Sequence, residues 1–237
     1  MNEELKKLYL KVLDYYTLQT LNKLSSSGYF DELLFPISEG KEAVVFLASS
    51  RDRRYVAIKV YRVNMATFKH IRKYIEGDPR FRTGKRRTTV IFQWVRKEFR
   101  NLVKAWKVGV RVPEPITFSK NVLIMEFIGE NGTPAPTAKD KPPRNPYTWF
   151  NTITNWIRIL YKEAKLVHAD LNEYNILNMK EKPVIIDWGQ AVTLDHERAL
   201  ELLYRDIERI FSFFQKLGVN TGDPLNLYSE MIHDEIL

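Results

Sequence analysis

The twelve-residue run LVHADLNEYNIL, residues 166–177, sets the hardest condition on any fold this chain can adopt. Leu166, Val167, Leu171, Ile176 and Leu177 favour burial, yet His168, Asp170 and Asn175 stand among them at spacings of two and five. Polar side chains in an apolar setting destabilise a fold unless hydrogen bonds or a ligand satisfy them. Ten residues beyond the run, VIIDWG places Asp187 directly after three apolar residues. A carboxylate to orient a nucleophile, with a second carboxylate and an amide to hold magnesium on nucleotide phosphates, is the set that phosphoryl transfer needs. Asp170, Asp187 and Asn175 supply it in that order.

Phosphates also require a cation, which these residues cannot provide. Lys59 lies in the strand-like run YVAIKVY, flanked by Ala57, Ile58 and Val60, an apolar setting unusual for a solvated lysine. Its expected carboxylate partner is Glu98, in the helical segment 90–107, whose predicted inner face carries Val95, Phe99, Leu102, Val103 and Trp106.

The pattern around these residues divides the chain. Residues 1–34 form an N-terminal helical extension, with Leu5, Leu8, Tyr9, Val12, Leu13 and Tyr16 on one face and SSSG at 25–28 ending the helix. Residues 35–128 are strand-rich: AVVFLAS and YVAIKVY make a hairpin, 63–76 a helix, and VPEPITFSKNVLIMEFI one or two strands. Residues 129–148 hold five of the eleven prolines and read as an irregular interlobe connection. Residues 149–237 are helix-rich, closing on a last amphipathic helix from about Glu197 that carries Leu203, Ile207, Ile210, Phe211, Phe214 and Leu217.

Composition narrows the class. The chain has 237 residues, 44% of them hydrophobic, enough for a sizeable core, and no apolar run approaches a bilayer-spanning length, so a soluble, cytoplasmic protein without membrane attachment is expected. Zero cysteines exclude disulfides, thiolate metal sites and a cysteine nucleophile. A net charge of +8 predisposes the surface to polyanions.

V-A-I-K, a helical glutamate, H-x-D-x-x-x-x-N and D-x-G in this order look like the protein-kinase-like fold: α+β, with a small β-rich N-lobe and a helical C-lobe. More narrowly, ISEGKEAVVFLA, AIKVYRVNMATFK, FRNL, MEFIGENGTPAP, LVHADLNEYNIL and VIIDWGQAV resemble the RIO family of atypical serine/threonine kinases, especially its first subfamily. The resemblance runs from about Phe30 to Val219. It implies ATP with Mg2+ or Mn2+, and a loop of Ser38, Gly40, Lys41 and Glu42 over the phosphates, where Gly40 alone replaces a G-x-G-x-x-G pattern. It implies that backbone groups of Glu126 and Ile128 meet the adenine edge, that Asp170 is catalytic, and that Asn175 and Asp187 hold the metal. Asp187 is then also the phosphate acceptor in a phosphoaspartate cycle, making the protein a kinase, an ATPase or both. No A-P-E follows Asp187, so a conventional peptide platform is missing.

Family resemblance further implies a role in maturation of the small ribosomal subunit, with the pre-ribosomal particle and its RNA as partners. The basic stretch DPRFRTGKRRTT at 78–89 is a candidate mobile loop, an RNA contact, or a self-phosphorylation segment through Thr88 or Thr89. Two rivals predict different things. A small-molecule kinase of the aminoglycoside or choline type needs a large acidic pocket in the C-terminal half, for which the segment after Val192 is short. A non-catalytic RNA-binding scaffold predicts that Asp170→Ala leaves function intact.

Overall fold

Alternation along one strand decides where the key lysine points. In the computed structural model, which describes residues 13–75, 78, 80 and 86–233, strand β3 (Arg54–Tyr61) is the middle of a five-stranded antiparallel sheet. The sheet order is β1-β2-β3-β5-β4, with β1 at Glu32–Glu39, β2 at Ala43–Ser50, β4 at Pro115–Ser119 and β5 at Val122–Glu126. Successive side chains of a strand leave opposite faces. Val56, Ile58 and Val60 therefore join one core cluster, with Leu21, Leu24 and Phe30 around helix α1 (Tyr15–Ser26). Ala57, Lys59 and Tyr61 turn to the other face, where Tyr61 packs with Ile71 of α2 (Met65–Ile75) and with Ile91, Trp94 and Val95 of α3 (Arg87–Lys107).

The described residues fall into two compact units: residues 13–75, 80, 86–100 and 114–134 supply the first, and 78, 101–113 and 135–233 the second. In the first, Asp14 caps α1 by accepting from the Thr17 N–H at 2.8 Å. Capping there sets the helix phase so that Thr17, Thr20, Leu21 and Leu24 are buried, and Tyr16, expected on the inner face, is exposed. Of the other residues named for that face, Leu13 is buried in the core, and Leu5, Leu8, Tyr9 and Val12 lie outside the described residues. Trp106 likewise lies outward on α3, while Leu102 and Ala105 are buried.

Two further expectations need correction. The anticipated hairpin gains an outer strand, β1, which tolerates Pro36 because it is an edge strand with register shifts on either side of that residue. The proline-rich stretch is not irregular throughout, since Gly129–Glu130 (β6) pairs with Thr133–Pro134 (β7). Gly129 is required there, because a Cβ would stand 2.2 Å from the Thr133 carbonyl oxygen.

In the second unit, α4 (Pro146–Lys162) starts at an Asn145 cap with Pro146 in its first turn, where a missing N–H is harmless. Phe150 of α4 packs edge-on against Phe211 and Phe214 of α5 (Ala199–Lys216). Helix α5 is not the last, because α6 (Pro224–His233) follows and is tied to α4 by the Arg158–Glu230 pair at 2.8 Å. Four short strands complete this unit: β8 (Leu166–Val167) pairs with β11 (Val192–Thr193), and β9 (Ile176–Met179) with β10 (Lys182–Ile185). The segment after β7 is bound by its backbone to β9, through Ala138 N–H to the Ile176 carbonyl and Asn178 N–H to the Pro136 carbonyl, each at 2.7 Å. No described helix is long and apolar enough to cross a membrane.

Candidate active site

The residues singled out by sequence fall into two sets, one in each unit. In the first unit, Lys59 Nζ donates to Glu98 Oε1 at 2.7 Å, and the Tyr61 hydroxyl donates to Glu98 Oε2. The pair is shielded, with side-chain exposures of 10% for Lys59 and 3% for Glu98. Shielding matters because an ion pair in low dielectric is screened little and loses much when one partner is removed. Lys59 Nζ also sits 5.1 Å from the Tyr61 ring centroid, over its face. Tyr61 was absent from the sequence reading, although strand alternation puts it on the Lys59 face.

Ser38 is the penultimate residue of β1 and Glu42 precedes β2, so Ser38–Glu42 spans the strand end and a tight turn closed by Gly40 N–H donating to the Ala43 carbonyl at 2.9 Å. Ser38, Gly40 and Lys41 are exposed on it, whereas Glu42 is half-buried and its carbonyl accepts from Arg62 N–H. Glu126 ends β5, and its N–H donates to the Glu114 carbonyl at 2.9 Å. An adenine edge would therefore have to use the Glu126 carbonyl, while Ile128 is buried just beyond the strand.

The second unit contains the catalytic-loop run, between β8 and β9. Helix α5 fastens it: buried Asp206 accepts from Ala169 N–H at 2.7 Å and Leu171 N–H at 3.0 Å, and Arg205 donates to the Ala169 carbonyl. Burial pushes the Asp206 carboxyl up to about 7, against the two backbone donors, which favour its ionised form. His168 is a structural strut. Its Nδ1 accepts from Asp170 N–H at 3.3 Å, so the proton resides on Nε2, which donates to the Ile186 carbonyl at 3.0 Å.

Three donors converge on the Asp170 carboxylate. Arg209 Nη1 reaches Oδ1 at 2.9 Å, while Asn175 Nδ2 and Gln190 Nε2 reach Oδ2 at 3.2 and 3.4 Å. Asn175 Nδ2 also donates to the Asp170 carbonyl at 2.8 Å, so the Asn175 side-chain oxygen is turned away and accepts no hydrogen bond among the described residues. Asp187 follows β10 with its side chain exposed and its backbone left-handed, at φ 64°. An amide oxygen and a carboxylate are hard donors suited to magnesium, which keeps waters and phosphate oxygens as its remaining ligands. The donor set fits that ion, although no cluster of three or more His, Cys, Asp or Glu exists among the described residues.

Arg209 and Asp206 were also missed by the sequence reading. Asp206 left a signal, a carboxylate at a core position between Leu203, Ile207 and Ile210; Arg209 left none. Thr88 and Thr89 occupy the first turn of α3, Thr88 exposed and Thr89 half-buried. Most of the basic loop before them, including residues 81–85, lies outside the described residues.

Comparison with known proteins identifies the family and the fold. The RIO domain family model matches residues 44–226. The chain is 42% identical over 230 residues to the RIO-type serine/threonine-protein kinase Rio1 of Haloferax volcanii, covering 97% of this chain and 79% of that protein. It is also 42% identical to the Rio1 kinase of Methanocaldococcus jannaschii over 227 residues, covering 95% and 77%. Among solved structures, the ADP/Mg2+-phosphoaspartate complex of Rio2 kinase from Chaetomium thermophilum superposes with a TM-score of 0.68 at 23% identity, covering 89% of this chain and 63% of that one. That likeness shows the α+β, protein-kinase-like fold expected from the sequence.

Proposed function

The chain belongs to the RIO domain family, its near relatives are Rio1 serine/threonine kinases, and on that premise we propose that it transfers the γ-phosphoryl group of ATP with magnesium. The observation that carries this reading is the pairing around Asp170: Arg209 and Gln190 hold its carboxylate, and Asn175 turns its nitrogen toward Asp170 while keeping its oxygen for a cation.

Each residue then has one task. Lys59, held by Glu98 and Tyr61, neutralises phosphate charge; the Ser38, Gly40, Lys41 and Glu42 turn covers the phosphates; the Glu126 carbonyl and Ile128 N–H meet the adenine edge. Asn175 and Asp187 hold Mg2+, with Mn2+ as a substitute. Magnesium, when bound, offsets the charge that develops on the phosphate oxygens. Asp170 accepts a hydrogen bond from the attacking hydroxyl and orients it. The bond from the γ-phosphorus to ADP breaks as the bond to the acceptor oxygen forms, and, where the acceptor is a hydroxyl, its proton passes to Asp170.

The acceptor is a serine or threonine hydroxyl, or the Asp187 carboxylate itself, whose acyl phosphate water then hydrolyses to free phosphate. For self-phosphorylation, exposed Thr88 is a better acceptor than half-buried Thr89. We place the activity in the cytoplasm, in maturation of the small ribosomal subunit, a setting supported by the family resemblance and by the +8 charge, which suits an RNA partner. The likeness to Rio1 serine/threonine kinases over most of the chain favours a protein kinase over a small-molecule kinase of the aminoglycoside or choline type.

The test follows γ-labelled ATP with Mg2+, measuring free phosphate and label retained on the protein, beside Asp170→Ala and Asp187→Asn. Turnover lost in both variants is expected. Acid-stable label identifies a hydroxyl acceptor, and hydroxylamine-labile label an acyl phosphate. Turnover equal in all three proteins would overturn the reading in favour of a scaffold.

A further inference from the structure

The motif FRNL contains a polar residue that the roles above leave unused. Asn101, in α3, is fully buried, at 0% exposure. Its Nδ2 donates to the Trp188 carbonyl at 3.0 Å and to the Ala191 carbonyl at 2.9 Å. Those carbonyls bracket Gly189 and Gln190, and the first of them belongs to the residue immediately after Asp187. Both amide protons of one side chain thus grip the backbone that leaves the expected metal ligand.

Asp187 needs such support. A non-glycine residue at φ 64° is less stable than in the ordinary regions by about 1–2 kcal/mol, so neighbouring structure must hold it there. On its N-terminal side, Ile186 N–H donates to the Asn175 carbonyl at 3.0 Å, and His168 Nε2 donates to the Ile186 carbonyl. On its C-terminal side, the Trp188 indole donates to the Ile185 carbonyl at 3.2 Å, and Ala191 N–H reaches the Trp188 carbonyl at 3.3 Å. The Asn101 contacts are the part of the C-terminal hold that comes from a residue distant in sequence.

We propose that Asn101 is a positioning residue for Asp187: its double donation to the Trp188 and Ala191 carbonyls sets the direction of the Asp187 carboxylate and so the affinity for the nucleotide-bound cation. This inference rests on the assignment of Asp187 as a metal ligand. Residue type is decisive. Aspartate would set a carboxylate against two carbonyl oxygens, leucine fills a similar volume with no donor, and serine keeps one. A buried asparagine with a purely packing role would lower stability on removal and leave relative metal affinity unchanged.

The experiment measures Mn2+ binding by electron paramagnetic resonance on the whole chain loaded with ADP, and ADP binding in EDTA by calorimetry. It compares the unsubstituted protein with Asn101→Leu, Asn101→Ser and the control Asp187→Asn. Outer residues that orient a metal ligand typically contribute about 10–100-fold in affinity. Asn101→Leu is expected to weaken Mn2+ binding at least about tenfold and Asn101→Ser by less, with ADP affinity in EDTA within about twofold of the unsubstituted protein. If Asn101→Leu does not fold, Asn101→Ser carries the comparison. Mn2+ affinity unchanged in the folded variants, or ADP affinity in EDTA falling in parallel, would overturn the role of Asn101. Failure of the unsubstituted protein to bind Mn2+ with ADP, or of Asp187→Asn to weaken it, would instead overturn the metal assignment, and this proposal with it.

Discussion

Replacing Lys59 by methionine tests the shielded pair most directly. Methionine preserves much of the stem volume and leaves the Glu98 carboxylate, 3% exposed, without the Lys59 cation 2.7 Å away. Removing one partner of a buried ion pair typically costs about 3–5 kcal/mol, and the low exposure of both side chains argues against discounting that for solvent screening. Removing both charges in Lys59→Met/Glu98→Leu relieves the uncompensated carboxylate and leaves mainly the Tyr61 hydroxyl short of its acceptor, a loss of about 1–2 kcal/mol. The double variant is therefore more stable than either single one, with a coupling energy of about 3 kcal/mol or more. Urea unfolding followed by tryptophan fluorescence reads this well, because Trp94 is buried in the cluster on the same face of the sheet. With a denaturant slope near ~2–3 kcal/mol per molar, each single substitution lowers the midpoint by about 1–2.5 M. Additive losses in the double variant, or single variants unfolding at the midpoint of the unsubstituted protein, would refute the claim that Lys59 and Glu98 stabilise each other in a water-poor site.

Asp206 gives a pH dependence of definite sign. Its carboxyl holds a proton more tightly in the folded chain, with a pKa of about 7 against 3.8, so its contribution to stability is full below the ordinary value and is lost as pH rises through about 7. About three units correspond to ~4 kcal/mol, so the stability advantage of the unsubstituted protein over Asp206→Asn should shrink by an amount of that order between about pH 4 and pH 7, measured by urea titration. A constant difference across that range would contradict the burial argument. Ala169 is left-handed at φ 65°, so Ala169→Gly should stabilise the fold by about 0.5–1 kcal/mol after allowing for the looser unfolded chain, raising Tm by ~2 °C in calorimetry. A lower Tm would mean that the Ala169 methyl packs better than its backbone angle suggests.

Local patterns were legible where one side of an element dominates. Alternation through VAIKVY placed Lys59 with Tyr61 rather than with Ile58, and the apolar phase of 90–107 brought Glu98 to the same side. The same logic failed for Tyr16 and Trp106, because large aromatic residues near a helix end satisfy an apolar pattern without being covered. Proline content hid β6 and β7, whose two-residue pairing depends on Gly129 admitting the Thr133 carbonyl. The final helix was overlooked because α6 is only ten residues long and begins after a polar turn.

The sequence by itself determined the chemical inventory: a cation in a buried strand, hard oxygen donors in two loops, and the order that identifies the family. Spacing carries that information because residue types and short-range periodicity depend on near neighbours. Only the tertiary structure decided who holds those groups. Glu98 meets a lysine 39 positions away, Arg209 meets Asp170 across the same separation, and Asn101 grips carbonyls 87 and 90 positions along the chain. Such partners are selected by long-range packing of helix faces against loops, where several polar residues compete for each position and the fit of the whole core chooses among them.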